Sequence, residues 1–346
     1  MDSFNVLLPV AGIEFNVLLL LLIGFTVGVC GGFFGICGAW IVTPALNIFG
    51  FPMPYAIGTD LAHMGGKSIV STIRHGKFGN VDTRLAVSMI AGTTVGMEGG
   101  AQLVLKLEAM GLAESLIRKL YVGFLAVIGS YVLYDYISHV RRQKRAVATG
   151  GKAVDAGPTL AQKLQRIRIP PMINFKASNI TCSLWLPVLI GLLTGVVAAV
   201  LGVGGGFIRM PALIYLVGCP TAVAVGTDLF EVMITGAYGA FTYGIKGRVD
   251  LIAAAWMLLG AAIGAQMGTI AIKYVHGYAI RLLFAVTIFI ACGSVLLKQL
   301  EMQMASSVLI LTAGVGISLV IMVWLFRGIV QERAAKRAAG GSGSMG

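Results

Sequence analysis

The tetrapeptide Gly-Thr-Asp-Leu stands at 58–61 and again at 226–229, and the likeness extends well beyond it. At the same spacing Gly50 and Pro52 meet Gly218 and Pro220, Gly76 meets Gly244, and Gly79-x-Val81-Asp82 meets Gly247-x-Val249-Asp250. The series Gly92, Gly96 and Gly100 meets Gly260, Gly264 and Gly268. Upstream, at a spacing one residue shorter, Gly35-x-x-Gly38 meets Gly202-x-x-Gly205, and Pro44-Ala-Leu46 meets Pro211-Ala-Leu213. The chain is therefore a duplication of a unit of about a hundred residues, and its fold must be one that two copies can build together.

Each unit must sit largely in lipid. Apolar residues make up 57% of the chain and charged residues 12%, with a mean hydropathy of +0.89; soluble domains carry about 25% charged residues. Both units open with an apolar stretch, 16–49 and 184–217, too long for one span of about 20 residues and too short for two. Glycines interrupt both stretches, as CGGFFGICG and LGVGGG. Backbone freed from a helix at membrane depth survives only when buried in protein or lining a wet cavity, so each stretch predicts a re-entrant helical hairpin. Three spans follow in each unit, near 54–75, 83–106 and 119–139, then 222–244, 250–272 and 279–297, with one more near 306–326. Three crossings are an odd number, so a unit joined directly to its copy must be inverted in the membrane. The expected fold class is an all-α polytopic membrane protein, an inverted repeat with about seven full spans plus two re-entrant hairpins. Its parts are a first membrane repeat (1–139), a linker (140–182), a second, inverted repeat (183–300), and an extra span with a basic tail (301–339). Residues 340–346 read as an artificial linker.

Charge sets the orientation. The linker carries Arg141, Arg142, Lys144, Arg145, Lys152, Lys163, Arg166, Arg168 and Lys176 against Asp155, which predicts a cytoplasmic position. Counting outward puts the N-terminus outside and the C-terminus inside, in a multi-pass protein of a bacterial cytoplasmic membrane. The pair Lys246 and Arg248 is the exception, since the count places it outside. The net charge of +12 is thus topological and predicts no nucleic-acid partner. Within the linker Leu160, Leu164 and Ile167 share a helical face beside basic residues, as in a short helix lying on anionic lipid; a regulatory or docking role is the alternative. No basic region precedes the first apolar run, which predicts a mature start rather than a cleaved signal. The 5 cysteines and 4 histidines form no cluster of metal-site spacing, so neither metal nor cofactor is expected.

Ionisable residues inside the spans are the candidates for function, because charge at membrane depth is costly and normally faces a bundle interior or an aqueous path. Asp60, His63, Lys67, Ser71 and Arg74 recur at helical spacing and form one polar stripe. The matching helix carries Asp228, Glu231, Thr235 and Thr242. For Asp60 and Asp228 a plainer role is open, that each caps a helix starting just after Gly-Thr; for Arg74, snorkelling to the surface. Glu98, with Thr94 and Gln102 one turn to either side, is either a proton site or the ion-pair partner of Lys67 or His63. The Gly-x-x-x-Gly series read as packing surfaces. The glycine runs matter more: a broken helix presents unpaired N–H groups and a positive dipole end, which suits an anion at Gly35, Gly38, Gly204, Gly205 and Gly206. Arg209 follows closely, and its planar fork matches an oxyanion, although an interfacial anchor would use Arg equally well. Val42 occupies the equivalent place in the first unit.

The segment Gly202-Val-Gly204-Gly205-Gly206-Phe207 through Pro211-Ala-Leu213, followed by Ala224-Val-Gly226-Thr227-Asp228, resembles the sulfite exporter TauE/SafE family, also called the 4-toluene sulfonate uptake permeases. The first copy, Gly35-Ile-Cys37-Gly38-Ala39-Trp40 through Pro44-Ala-Leu46, is a looser match. The resemblance implies a transporter of small sulfur-bearing anions, with the glycine segments facing substrate. Arg209, the basic stripe and the long basic linker depart from the family pattern. The expected function is a secondary transporter without an ATPase: Gly66-Lys67-Ser68 imitates the end of a phosphate-binding loop, but Leu61 stands where the first glycine belongs. Sulfite export is the leading form, with proton coupling through Glu98 or His63, and Asp60, Asp228 and Glu231 are further candidates for coupling or gating. Uptake of an organosulfonate or thiosulfate is the rival, an anion channel another. An intramembrane enzyme finds no matching motif. The expected partners are a small anion, protons and the bilayer, with homo-oligomerisation open.

Overall fold

The computed structural model describes residues 4–34, 39–148, 165, 169–271, 274 and 277–341. The first half starts with an antiparallel hairpin, β1 (Asn5–Leu8) and β2 (Ile13–Asn16), followed by α1 (Val17–Phe34), α2 (Ala39–Ile48), α3 (Met53–Lys77), α4 (Thr83–Ala109) and α5 (Ala113–Ala148). The second half repeats that order. A hairpin, β3 (Met172–Phe175) and β4 (Ile180–Ser183), leads into α6 (Trp185–Leu201), then α7 (Gly206–Ala212), which runs on as a π-helical turn (Leu213–Val217), then α8 (Thr221–Gly244), α9 (Leu251–Ala271) and α10 (Gly277–Gln299). A last helix, α11 (Gln303–Gly341), has no counterpart among the described elements. The chain is an all-α polytopic membrane protein: among the described residues five helical segments, Val17–Phe34, Ala113–Ser138, Leu251–Ala271, Leu282–Gln299 and Gln303–Arg333, are long and apolar enough to cross a bilayer. The helices α3, α4 and α8, which carry the polar stripe, Glu98 and the acidic pair, are not among them.

The two halves are interlocked. The first helix of each half packs along the fourth helix of the other, α1 on α9 and α6 on α4, while α3 packs on α8 and α5 on α10. Glycine makes the first two contacts close. Side chains added at Gly260, Gly264 and Gly268 would run into the backbone of α1 at Leu21, Phe25 and Val29; side chains at Gly92 and Gly96 would meet the backbone of α6 at Val188 and Leu192. The small-residue series thus serve packing, and their partners lie across the repeat boundary. The crossing of α3 and α8 is built the same way, from Gly65 against Gly236.

The repeated Gly-Thr-Asp-Leu motif also acts across that boundary. Thr227 Oγ1 accepts a hydrogen bond from the backbone N–H of Asp82 (2.9 Å), and Thr59 Oγ1 accepts one from Asp250 (3.0 Å). Asp82 and Asp250 each cap the helix that follows, accepting from Leu85 N and Ala253 N, both at 3.1 Å. Their second oxygens receive the hairpins of the opposite halves: Ser178 N and Oγ reach Asp82 Oδ2 at 2.9 Å each, and Val10 N and Ala11 N reach Asp250 Oδ2 at 3.3 and 3.5 Å. A side chain on Gly58 or Gly226 would strike the carbonyl of Arg248 or Asn80, so the motif's glycine and threonine seat one loop between them.

Several expectations shift. The aspartates of the motif do not cap helices: α3 starts at Met53 and α8 at Thr221, so Asp60 and Asp228 lie two turns inside. Residues 172–182, within the expected linker, form the second hairpin together with Ser183. The amphipathic segment at 160–167 lies outside the described residues except Gln165, whose Nε2 donates to Val217 O at 2.7 Å. Arg248, one of the two charges that the topology count places outside, is bound by both oxygens of Glu108 (2.8 and 3.0 Å) and lies over the Tyr55 ring at 4.9 Å. The Glu108 carboxylate holds its guanidinium above the ordinary arginine range.

Candidate functional site

The break between α6 and α7 is built on glycine. Gly202, Gly204 and Gly205 have φ of 73°, 68° and 72°, a left-handed backbone that side chains rarely adopt. They also leave room for neighbours. A side chain on Gly202 would strike Thr43 of α2, one on Gly204 would meet Met64 of α3 at 2.8 Å, and one on Gly206 would lie 3.0 Å from Asp228 Oδ2. Gly35 and Gly38, the equivalent pair of the first half, lie outside the described residues.

Arg209 emerges from α7 into this space and is 0% exposed. Its Nη2 donates to the carbonyl of Gly204 at 2.8 Å, its Nη1 lies 3.3 Å from Asp228 Oδ1, and the same nitrogen contacts Glu231 Oε2. Both carboxylates come from α8 and are as fully buried as the arginine. One turn further, Thr235 Oγ1 donates to the Glu231 carbonyl (2.9 Å) and lies 3.2 Å from Glu231 Oε2. A guanidinium facing two carboxylates in an interior of low dielectric is a strongly bound group, since buried charges are tolerated only when paired. The interfacial-anchor role is thereby corrected: Arg209 does not reach toward a surface.

The first half carries a different set at the matching places. Thr43 Oγ1 donates to Asp60 Oδ2 at 2.9 Å, and His63 Nδ1 lies 3.5 Å from Asp60 Oδ1. Asp60 is 0% exposed, His63 1% and Lys67 7%. His63 Nε2 is buried and accepts or donates no hydrogen bond within the described residues. The charge of Lys67 bears on Asp60, on His63 and on Cys30 of α1. Two half-sites follow, one basic and hydroxyl-lined, one an arginine held by acids, on helices that cross at Gly65 and Gly236.

Glu98 stands apart from both. It lies on α4 at a partly exposed position, where Gln102 Nε2 donates to Oε1 at 2.8 Å and Tyr238 OH donates to Oε2 at 3.3 Å. Three participants escaped sequence reasoning. Thr43 carried no pattern that marked it, whereas Thr59 and Thr227 were visible in the repeated motif, where the aspartate drew the attention. Among the described residues no group of three His, Cys, Asp or Glu is placed to hold a metal ion.

Comparison with known proteins points to membrane transporters. The family model described as sulfite exporter TauE/SafE matches residues 20–295. A probable membrane transporter protein of Xylella fastidiosa is 25% identical over 251 residues, covering 72% of this chain and 80% of that protein. One from Methanocaldococcus jannaschii is 26% identical over 243 residues, covering 67% and 75%. The probable membrane transporter protein YunE of Bacillus subtilis is 23% identical over 264 residues, covering 72% and 86%. No solved structure matches the chain.

Proposed function

The chain belongs to the sulfite exporter TauE/SafE family of membrane transporters, and we propose that it is a secondary transporter that exports a small sulfur-containing anion, foremost sulfite, across a bacterial cytoplasmic membrane. The observation that carries this reading is the fully buried Arg209 beside the glycine break, among helices long and apolar enough to span lipid. Ionisable groups at that depth are costly and are kept where a polar substrate needs them. In this reading the substrate meets the broken segments (Gly35, Gly38, Gly204, Gly205 and Gly206), Arg209, and the basic residues His63 and Lys67. Glu98, Asp60, Asp228 and Glu231 are the carboxylates available for proton coupling or gating.

The halves supply the mechanics. Two copies with an odd number of crossings run in opposite directions through the bilayer, and rocking one against the other around a shared centre gives alternating access. The exchange of partners between halves, α1 on α9 and α6 on α4, fits a two-fold relation of this kind. Binding to purified protein tests the reading. Calorimetry with sulfite, sulfate, thiosulfate and a small sulfonate should give selective sulfite binding, weakened at least about tenfold in Arg209→Ala, as expected on losing a charge-assisted contact. Binding of the sulfonate alone would make the chain an organosulfonate permease, and unchanged binding in both Arg209→Ala and Lys67→Ala would move the site elsewhere.

A further inference from the structure

The environment of Arg209 constrains how an anion could reach it. One guanidinium faces the carboxylates of Asp228 and Glu231, all three 0% exposed, and its second nitrogen is committed to the Gly204 carbonyl. A substrate anion added to that set would place three negative groups around one cation in a medium that screens poorly. The arrangement accepts an anion only if one carboxylate gives up both its place and its charge.

Glu231 is the one equipped to do so. Thr235 Oγ1 donates to the Glu231 carbonyl (2.9 Å) and, in a shared contact, to Glu231 Oε2 at 3.2 Å, and its hydroxyl oxygen keeps lone pairs that can accept in turn. An ionised carboxylate has no hydrogen to offer that oxygen; a protonated one does. Glu231 Oε2 already lies between Arg209 Nη1 and Thr235 Oγ1, so it can give up the first and keep the second without moving the helix. Asp228 is shorter, and its Oδ2 lies directly beside the Gly206 backbone, where an added side chain would come within 3.0 Å of it. In the first half His63 stands at the place of Glu231, Lys67 at that of Thr235 and Val42 at that of Arg209, so the acid, its cation and its acceptor occur together in one half.

We propose that Glu231 is an internal stand-in for substrate: the transported anion replaces its carboxylate on Arg209, and Glu231 takes up one proton and hydrogen-bonds Thr235, so that each anion bound is accompanied by a proton. This deepens the anion-transport reading and rests on it. The other titratable or charged groups on Glu231's own helix are Asp228, Tyr238 and Tyr243; the elements packed against it carry Arg209 on α7, Tyr215 in the π-helical turn, Tyr55, Asp60, His63, Lys67, Arg74, His75 and Lys77 on α3, and Arg84, Glu98, Lys106 and Glu108 on α4.

The test is sulfite binding to the purified full chain, by calorimetry, from about pH 5 to about pH 8, for wild type and Glu231→Gln. Sulfite's own titration enters both proteins alike and cancels in the ratio of their affinities. Once Glu231 is ionised, one linked proton makes the wild type weaken relative to Glu231→Gln by about tenfold per pH unit. Thr235→Val should narrow the pH range of that weakening, because protonated Glu231 in the anion-bound protein loses its acceptor. A ratio that stays constant with pH overturns the proposal. Should Glu231→Gln not yield monodisperse protein, the wild type alone decides: the binding enthalpy in buffers of different ionisation heat must reveal proton uptake beyond that of sulfite itself, and none overturns the proposal. If the wild type binds no sulfite at any pH, the anion reading beneath it fails instead.

Discussion

Asp82 and Asp250 show how far residue chemistry in this chain is set by the other half. They occupy matching places and make matching contacts, yet not equal ones. Asp82 accepts from Leu85 N, Ser178 N and Ser178 Oγ within 3.1 Å, whereas Asp250 accepts one bond at 3.1 Å and two longer ones at 3.3 and 3.5 Å. Removing Asp82 strands three donors at a buried site, which costs about 2–4 kcal/mol; removing Asp250 costs about 1–2, close to the loss of a helix cap alone. Thermal melting of the two alanine variants in one detergent should rank Asp82→Ala clearly below Asp250→Ala, and the reverse order would contradict the roles given to the two hairpins. The sequence exposed these aspartates as repeated but not their work, because a hydrogen bond between Thr227 and Asp82 joins residues from different copies and has no local signal. Asp60 and Asp228 illustrate the opposite error. Their position after Gly-Thr suggests a cap, but the repeated Pro52 and Pro220 precede the true starts and were the better boundary sign.

At the scale of elements, glycine decides which helices meet. The series at 92, 96 and 100 was legible as a packing face, and the structure assigns it to α6, just as 260, 264 and 268 serve α1. Gly99 lies on the same helix as the first series, yet a side chain there would meet nothing within 4 Å. Gly99→Val should therefore leave the protein folded, with only a propensity change of under about 1 kcal/mol. In contrast, Gly96→Val and Gly264→Val push a side chain into backbone that cannot yield, beyond the about 1–3 kcal/mol of ordinary overpacking. Size exclusion in mild detergent should show monodisperse Gly99→Val and aggregated or absent Gly96→Val and Gly264→Val; equal behaviour of all three would mean that these helix pairs are not as close as described. The β-hairpins were the elements that sequence missed. Their strands are four residues each, shorter than any periodicity can resolve, and β3 and β4 end a basic stretch that reads as linker.

Across the whole molecule, the duplication explains both the architecture and the uneven site. Two copies of one unit interlock through exchanged partners, and the copies then diverge where chemistry is concentrated: Val42 against Arg209, His63 against Glu231, Lys67 against Thr235. That pairing of positions was legible in the chain, since it follows from the repeat alone. What the repeat could not reveal is which groups touch, and Arg209 is the clearest case, open to an oxyanion by its chemistry but held by two acids in the fold. The most direct test of the transport reading is sulfite efflux from liposomes reconstituted with the purified protein. Flux that saturates with sulfite, exceeds that of empty liposomes and falls at least about tenfold in Arg209→Ala is the expected result, as loss of a charged contact made on the transport path requires. No flux above empty liposomes, or a flux that rises without saturation and is indifferent to Arg209, would contradict a sulfite carrier built around this centre.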